Sequence, residues 1–115
     1  MREPIRDKER LLHILEAIAR IQNRVPTLDT DTLLQDALVY YGVVKNIEII
    51  GEAVYKLTDE FKDSHPQTEW EGIEGMRHVL VHDYYQILPE RVIHVIINDL
   101  PPLKAQIEQY ISEME

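Results

Sequence analysis

Apolar residues along the chain recur mostly at intervals of three and four, the period of amphipathic helices, and no segment gives a convincing strand pattern. The first run covers about residues 5–22, with Leu11, Leu12, Ile14, Leu15, Ile18 and Ile21 on one face. Pro26 and the polar run Thr27 to Thr32 end it in a loop. A long second helix is expected over about residues 32–57. Thr32 and Gln35 have capping-box spacing, and an apolar stripe follows through Leu34, Ala37, Leu38, Tyr41, Val44, Ile47, Ile50, Val54 and Leu57. At ~1.5 Å per residue it would span on the order of 40 Å. Gly42 and Gly51 lie inside this run, each costing about 1 kcal/mol relative to Ala. Close helix packing would account for that cost.

Residues 59–67 read as a loop with room for one helical turn, punctuated by Pro66. Thr68 and Glu71 have the spacing of a second capping box, opening a helix toward Tyr84, with Trp70 as a core anchor. Pro89 suits the first turn of a fourth helix carrying Val92, Ile93, Ile96, Ile97 and Leu100. Pro101 and Pro102 are expected to break that helix and start a last one with Leu103, Ile107, Tyr110 and Ile111. The stretch Glu108 to Glu115 reads as a solvated helix end. The pattern predicts an all-α fold, a four- to five-helix bundle, in a single domain over residues 1–115.

Composition narrows the class. At 44% hydrophobic residues the chain can bury a core, so disorder is excluded. The absence of cysteine removes disulfides and thiolate metal sites and suits a reducing cytoplasm. No apolar run approaches the ~20 residues that span a bilayer, and the charged N-terminus lacks the apolar core of a signal peptide. The net charge of −9 opposes nucleic-acid binding, and a symmetric dimer would double it. If RNA binds, cations must concentrate locally.

The segment Gly75-Met76-Arg77-His78-Val79-Leu80-Val81-His82-Asp83-Tyr84-Tyr85 gathers Arg, two His and two Tyr beside an apolar stripe. At about 100° per residue, Arg77 and His82 lie ~140° apart on a regular helix. Either the helix ends near His82 or two copies of the segment meet across an interface. Arg77 and Tyr84 share a stripe, as do His78 and His82. These types suit RNA cleavage without a metal. Imidazole titrates near neutrality and can move the 2′-OH proton, and a guanidinium fork stabilises charge on phosphate oxygens. The bland reading is a structural Arg and His on a helix surface. A metal at His78 and His82 is weaker, because the metalloprotease pattern would need Glu where Val79 stands. His13, His65 and His94 read as surface or packing residues.

The chain resembles the HepT-like toxins of the HEPN superfamily. The resemblance covers nearly its whole length: Arg6-Asp7-Lys8-Glu9-Arg10-Leu11-Leu12-His13-Ile14-Leu15-Glu16-Ala17-Ile18, then Lys45-Asn46-Ile47-Glu48-Ile49-Ile50-Gly51-Glu52-Ala53, Trp70, Ile73, Gly75-Met76-Arg77, His82-Asp83-Tyr84 and Asn98-Asp99-Leu100-Pro101. It implies a homodimeric HEPN-like bundle with Arg77 and His82 of both protomers in a composite cleft. Arg77 would stabilise the phosphate and His82 act as general acid/base, with His78 a possible auxiliary where the family often has Asn. The implied reaction is endonucleolytic, needs no cofactor, and leaves a 2′,3′-cyclic phosphate and a 5′-OH. The implied partner is a minimal nucleotidyltransferase (MNT-type) antitoxin of a type II/VII-like system, which transfers AMP to the tyrosine matching Tyr84. A phosphate ester there would set negative charge beside Arg77; Tyr85 is the neighbouring candidate acceptor. The alternative is a non-catalytic helical subunit that binds and regulates a nucleotidyltransferase.

Overall fold

The computed structural model describes residues 2–24, 30–82 and 89–114, with side chains for 6–24, 31, 33, 35–77 and 89–114. Every regular element among them is helical: α1 Arg2–Arg24, α2 Thr30–Gln35, α3 Ala37–Lys56, α4 Asp59–Asp63, α5 Trp70–His82, α6 Pro89–His94, a π-turn Val95–Asp99, and α7 Leu100–Met114. Four rods carry the core: α1, α3, α5 and the path from α6 into α7. The all-α bundle expected from the periodicity is therefore the fold.

Helix α1 buries Leu11, Ile14, Ala17, Ile18 and Ile21, one continuous face, and leaves Leu12 largely exposed. It lies antiparallel to α3. Asp7 near the start of α1 meets Thr58 just beyond the end of α3, and Arg20 near the end of α1 meets Asn46 midway along α3. The Asp7 carboxylate is buried at 3% exposure and accepts from the Thr58 N–H at 2.9 Å and its hydroxyl at 2.7 Å. Thr58 in turn accepts from the Phe61 N–H, capping α4. One buried carboxylate thus ties α1 to the turn between α3 and α4. The short helical turn expected after residue 59 is α4.

The long helix expected over 32–57 is divided. Asp36 adopts an extended conformation and its carboxylate accepts from the Leu38 and Val39 N–H groups, capping α3. The cap is Asp36, and Thr32 lies inside α2. The stripe is corrected accordingly: Tyr40, Val43, Val44, Ile47, Ile50 and Val54 are buried, while Leu38 is 87% exposed and Tyr41 is exposed. Each buried Val or Ile contributes roughly 1.5–3 kcal/mol, so these positions anchor α3 between α1 and α5. Burial pushes the Tyr40 hydroxyl above its usual range, and Tyr41 and Glu90 push it further.

The second capping box is also corrected. Thr68 is buried, and its hydroxyl donates to Gln106 Oε1 at 2.9 Å and contacts the Tyr110 hydroxyl, joining the start of α5 to α7. Trp70 anchors the core as expected, with its indole N–H donating to the His65 carbonyl at 2.8 Å. His65 stacks on Phe61 and packs against Tyr110, a packing residue. At Pro101 and Pro102 the chain changes register without leaving a helical path. Neither proline has an N–H for the preceding carbonyls. The Leu100 N–H reaches five residues back to Val95, one widened turn. Both prolines then sit in the first turn of α7.

Candidate functional site

Arg77 projects from the middle of α5 onto one face of α3. Its Nη1 lies 3.2 Å from Glu52 Oε1, and its guanidinium carbon sits 3.8 Å from the centre of the Tyr55 ring. Glu52 Oε2 also pairs with Lys56 at 3.8 Å. Residues 52, 55 and 56 stand at i, i+3 and i+4, so a single turn of α3 presents all three to Arg77. The ring face attracts the cation and the carboxylate orients it. The Arg77 side chain is 21% exposed, and its Nε is buried with no hydrogen-bond partner among the described residues. Part of its donor set is unused by the fold.

Gly51 sets how near α5 comes. A Cβ added there would lie 2.9 Å from the Arg77 backbone nitrogen, 3.0 Å from its Cβ and 3.2 Å from the Ile73 carbonyl oxygen. The close packing expected for Gly51 is thus present, directly beneath Arg77. The same expectation fails for Gly42, where an added Cβ would meet nothing within 4 Å.

Beside Arg77 a groove of about 520 Å3 runs between α1 and α3. Arg10, His13, Glu16 and Arg20 line it from α1, and Lys45, Glu48, Ile49, Glu52, Ala53 and Lys56 from α3. Five of the chain's 12 Lys and Arg residues face this groove, against three carboxylates. The local balance is positive in a chain of net charge −9, the concentration that anion binding would require.

His82 is the last residue of α5, which is helical throughout from Trp70. Arg77 and His82 thus keep the ~140° separation of a regular helix within one chain. The side chains of His78 and His82 lie outside the described ones, and Tyr84 and Tyr85 lie outside the described residues altogether. Among the described residues no three His, Cys, Asp or Glu side chains gather as a metal site, and no helix is long and apolar enough to cross a membrane. Glu52, Tyr55 and Arg10 were missed as site residues in the sequence. The signals in the sequence were the glycine before Glu52, cations spaced along α1, and the presence of Arg10 and Glu52 in the segments that carry the family resemblance; contacts between residues 52 and 77 are non-local.

Comparisons with known proteins agree with this architecture. The profile of the HepT-like ribonucleases matches residues 14–110. A protein provisionally designated an RNase in Caldanaerobacter subterraneus subsp. tengcongensis is 30% identical over 90% of this chain and 92% of its own length. One with the same designation in Methanocaldococcus jannaschii is 32% identical over 91% and 87%. A protein provisionally named ribonuclease HepT in Thermococcus cleftensis is 30% identical over 89% and 93%. No solved structure gives a significant match. With a family match over most of its length and an arginine in the middle of α5 beside a cation-lined groove, the chain belongs to the HepT-like ribonuclease family.

Proposed function

We propose that this protein is a metal-independent endoribonuclease, the toxin of a toxin–antitoxin pair, with Arg77 and His82 as its catalytic residues. The observation that carries the reading is Arg77 itself: a guanidinium with unused donors, held by Glu52 and Tyr55 at a groove of net positive lining. In this reaction neutral His82 takes the proton of an RNA 2′-OH. The 2′-oxygen bonds to the adjacent phosphorus as the bond to the 5′-oxygen breaks. The imidazolium so formed gives its proton back to the leaving 5′-oxygen, yielding a 2′,3′-cyclic phosphate and a 5′-OH and restoring neutral His82. Arg77 donates to the phosphoryl oxygens as charge grows on them. Because ~140° separates the two positions on α5, the working site draws Arg77 and His82 from two protomers of a homodimer. His78 is a candidate auxiliary. The antitoxin is an MNT-type nucleotidyltransferase that silences the site by adding AMP to Tyr84, seven residues from Arg77, where the ester's charge opposes the cation.

Expression of the chain alone tests the reading. Growth arrest that disappears with Arg77→Ala or His82→Ala, in proteins that still fold, and RNA cleavage that persists in chelator, are the expected results. Cleavage that both variants retain refutes the assignment. The net charge of −9 favours a second reading, a non-catalytic subunit that regulates a nucleotidyltransferase. Normal growth on expression of the wild type, with no RNA cut by the purified protein, would shift the reading to that one. Intact mass and peptide mapping after incubation with the antitoxin and ATP should find AMP on Tyr84 and none on Tyr84→Phe.

A further inference from the structure

We propose that the α1–α3 groove seats the RNA strand flanking the scissile phosphate, with Arg10, Arg20 and Lys45 binding its backbone phosphates. This rests on the ribonuclease reading and adds the binding track to it. Three observations carry it.

First, the groove is continuous with Arg77 and ordered along its length. Asp7 pairs with Thr58 and Arg20 with Asn46, so Arg10 stands toward the end of the groove that Arg77 and Lys56 line, and Arg20 and Lys45 stand toward the other. Arg10 and Arg20 are ten residues apart on α1, about 15 Å, the span of about four stacked nucleotides at ~3.4 Å each.

Second, its cations are available. Among the described residues the buried side-chain nitrogens without a hydrogen-bond partner are Arg10 Nε and Arg77 Nε, and both side chains line this groove. Arg20 pairs with Glu16 at 3.7 Å and donates to the neutral Asn46 Oδ1 at 3.2 Å, and Lys45 pairs with Glu48 at 3.8 Å, with both cations more than half exposed. Such exposed pairs are weak and exchange readily for a phosphate.

Third, the lining discriminates between partner classes. Ile49 and Ala53 are its apolar members, with no aromatic anchor. A protein interface concentrates its affinity in buried aromatic and apolar anchors, whereas a phosphate backbone needs spaced cations in an open trough.

The test is fluorescence anisotropy with a short single-stranded oligoribonucleotide, 2′-O-methylated throughout so that nothing can be cut whichever residues catalyse. Arg10→Glu and Lys45→Glu are each expected to weaken binding about tenfold. Each is also expected to flatten the dependence of log K on log salt by about 0.7 per lost phosphate contact. Arg91→Glu, a like charge change on α6 away from the groove, should leave both unchanged. Arg10→Gln is the second variant should the partly buried glutamate perturb folding, monitored by helical circular dichroism. Equal losses in all three glutamate variants would reduce the effect to net charge and overturn the proposal, as would wild-type affinity in Arg10→Gln and Lys45→Glu. Unchanged RNA binding with loss of capture of the nucleotidyltransferase would make the groove a protein interface and also overturn it. A chain that cuts RNA but ignores the groove variants leaves the ribonuclease standing without the track; one that binds through the groove and cuts nothing leaves the track without the ribonuclease.

Discussion

Replacing Gly51 and Gly42 by alanine makes the same chemical change twice in α3, and the structure assigns the two opposite signs. Alanine is favoured over glycine in a helix interior by about 1 kcal/mol. At Gly42 nothing within 4 Å opposes the methyl group, so Gly42→Ala should stabilise by about 0.5–1 kcal/mol. At Gly51 the methyl would lie 2.9 Å from the Arg77 backbone nitrogen and 3.2 Å from the Ile73 carbonyl oxygen. Neither atom can rotate away, so α5 must shift as a body. Overpacking of this kind costs about 1–3 kcal/mol. With rigid backbone on the far side the upper half of that range applies, and the helix gain offsets only part of it. The net expectation is a destabilisation of about 1–2 kcal/mol, a fall in Tm of about 4–8 °C, against a rise of about 2–4 °C for Gly42→Ala. Thermal unfolding followed by circular dichroism reads both. The shift also carries Arg77 off the Glu52 carboxylate and the Tyr55 ring, so Gly51→Ala should lose RNA cleavage by up to about 100-fold at temperatures where it remains folded. A Gly51→Ala protein as stable as Gly42→Ala would refute the close approach of α5 to α3, and with it the placement of Arg77.

Two further perturbations test the scaffold. Asp7→Ala removes a buried carboxylate that receives two hydrogen bonds from Thr58; a loss of about 2–3 kcal/mol is expected, with hydrogen exchange rising first at α4 and the start of α1. Asp36→Ala removes the cap of α3 and should cost about 1 kcal/mol, while Asp36→Ser should restore most of it in the same thermal assay.

The helical class, the inner face of α1, the burial of Trp70 and the apolar positions of α3 beyond Val43 were legible in the sequence. Period and burial are coupled within a single element, and a stripe at three- and four-residue spacing must find a core. The break at Asp36 was not legible, because a capping carboxylate and a solvated helical aspartate look alike until the backbone dihedral is known. Thr68 was misassigned for a related reason. Its spacing to Glu71 satisfies a local rule, but its hydroxyl turns to Gln106 and Tyr110, some 40 residues on. Arg77 was found by its neighbours in the chain, whereas its setting came from another helix.

The sequence by itself determined the local quantities: helix period, the turns demanded by proline, net charge, and the residue types able to move a proton or hold a phosphate. The tertiary structure alone decided which cations share a groove and which carboxylate orients Arg77. It also decided why Gly51 is required while Gly42 is not. Those are distances between helices, set by how the buried faces interlock. A summed charge of −9 contains no record of where, in three dimensions, the positive charges meet.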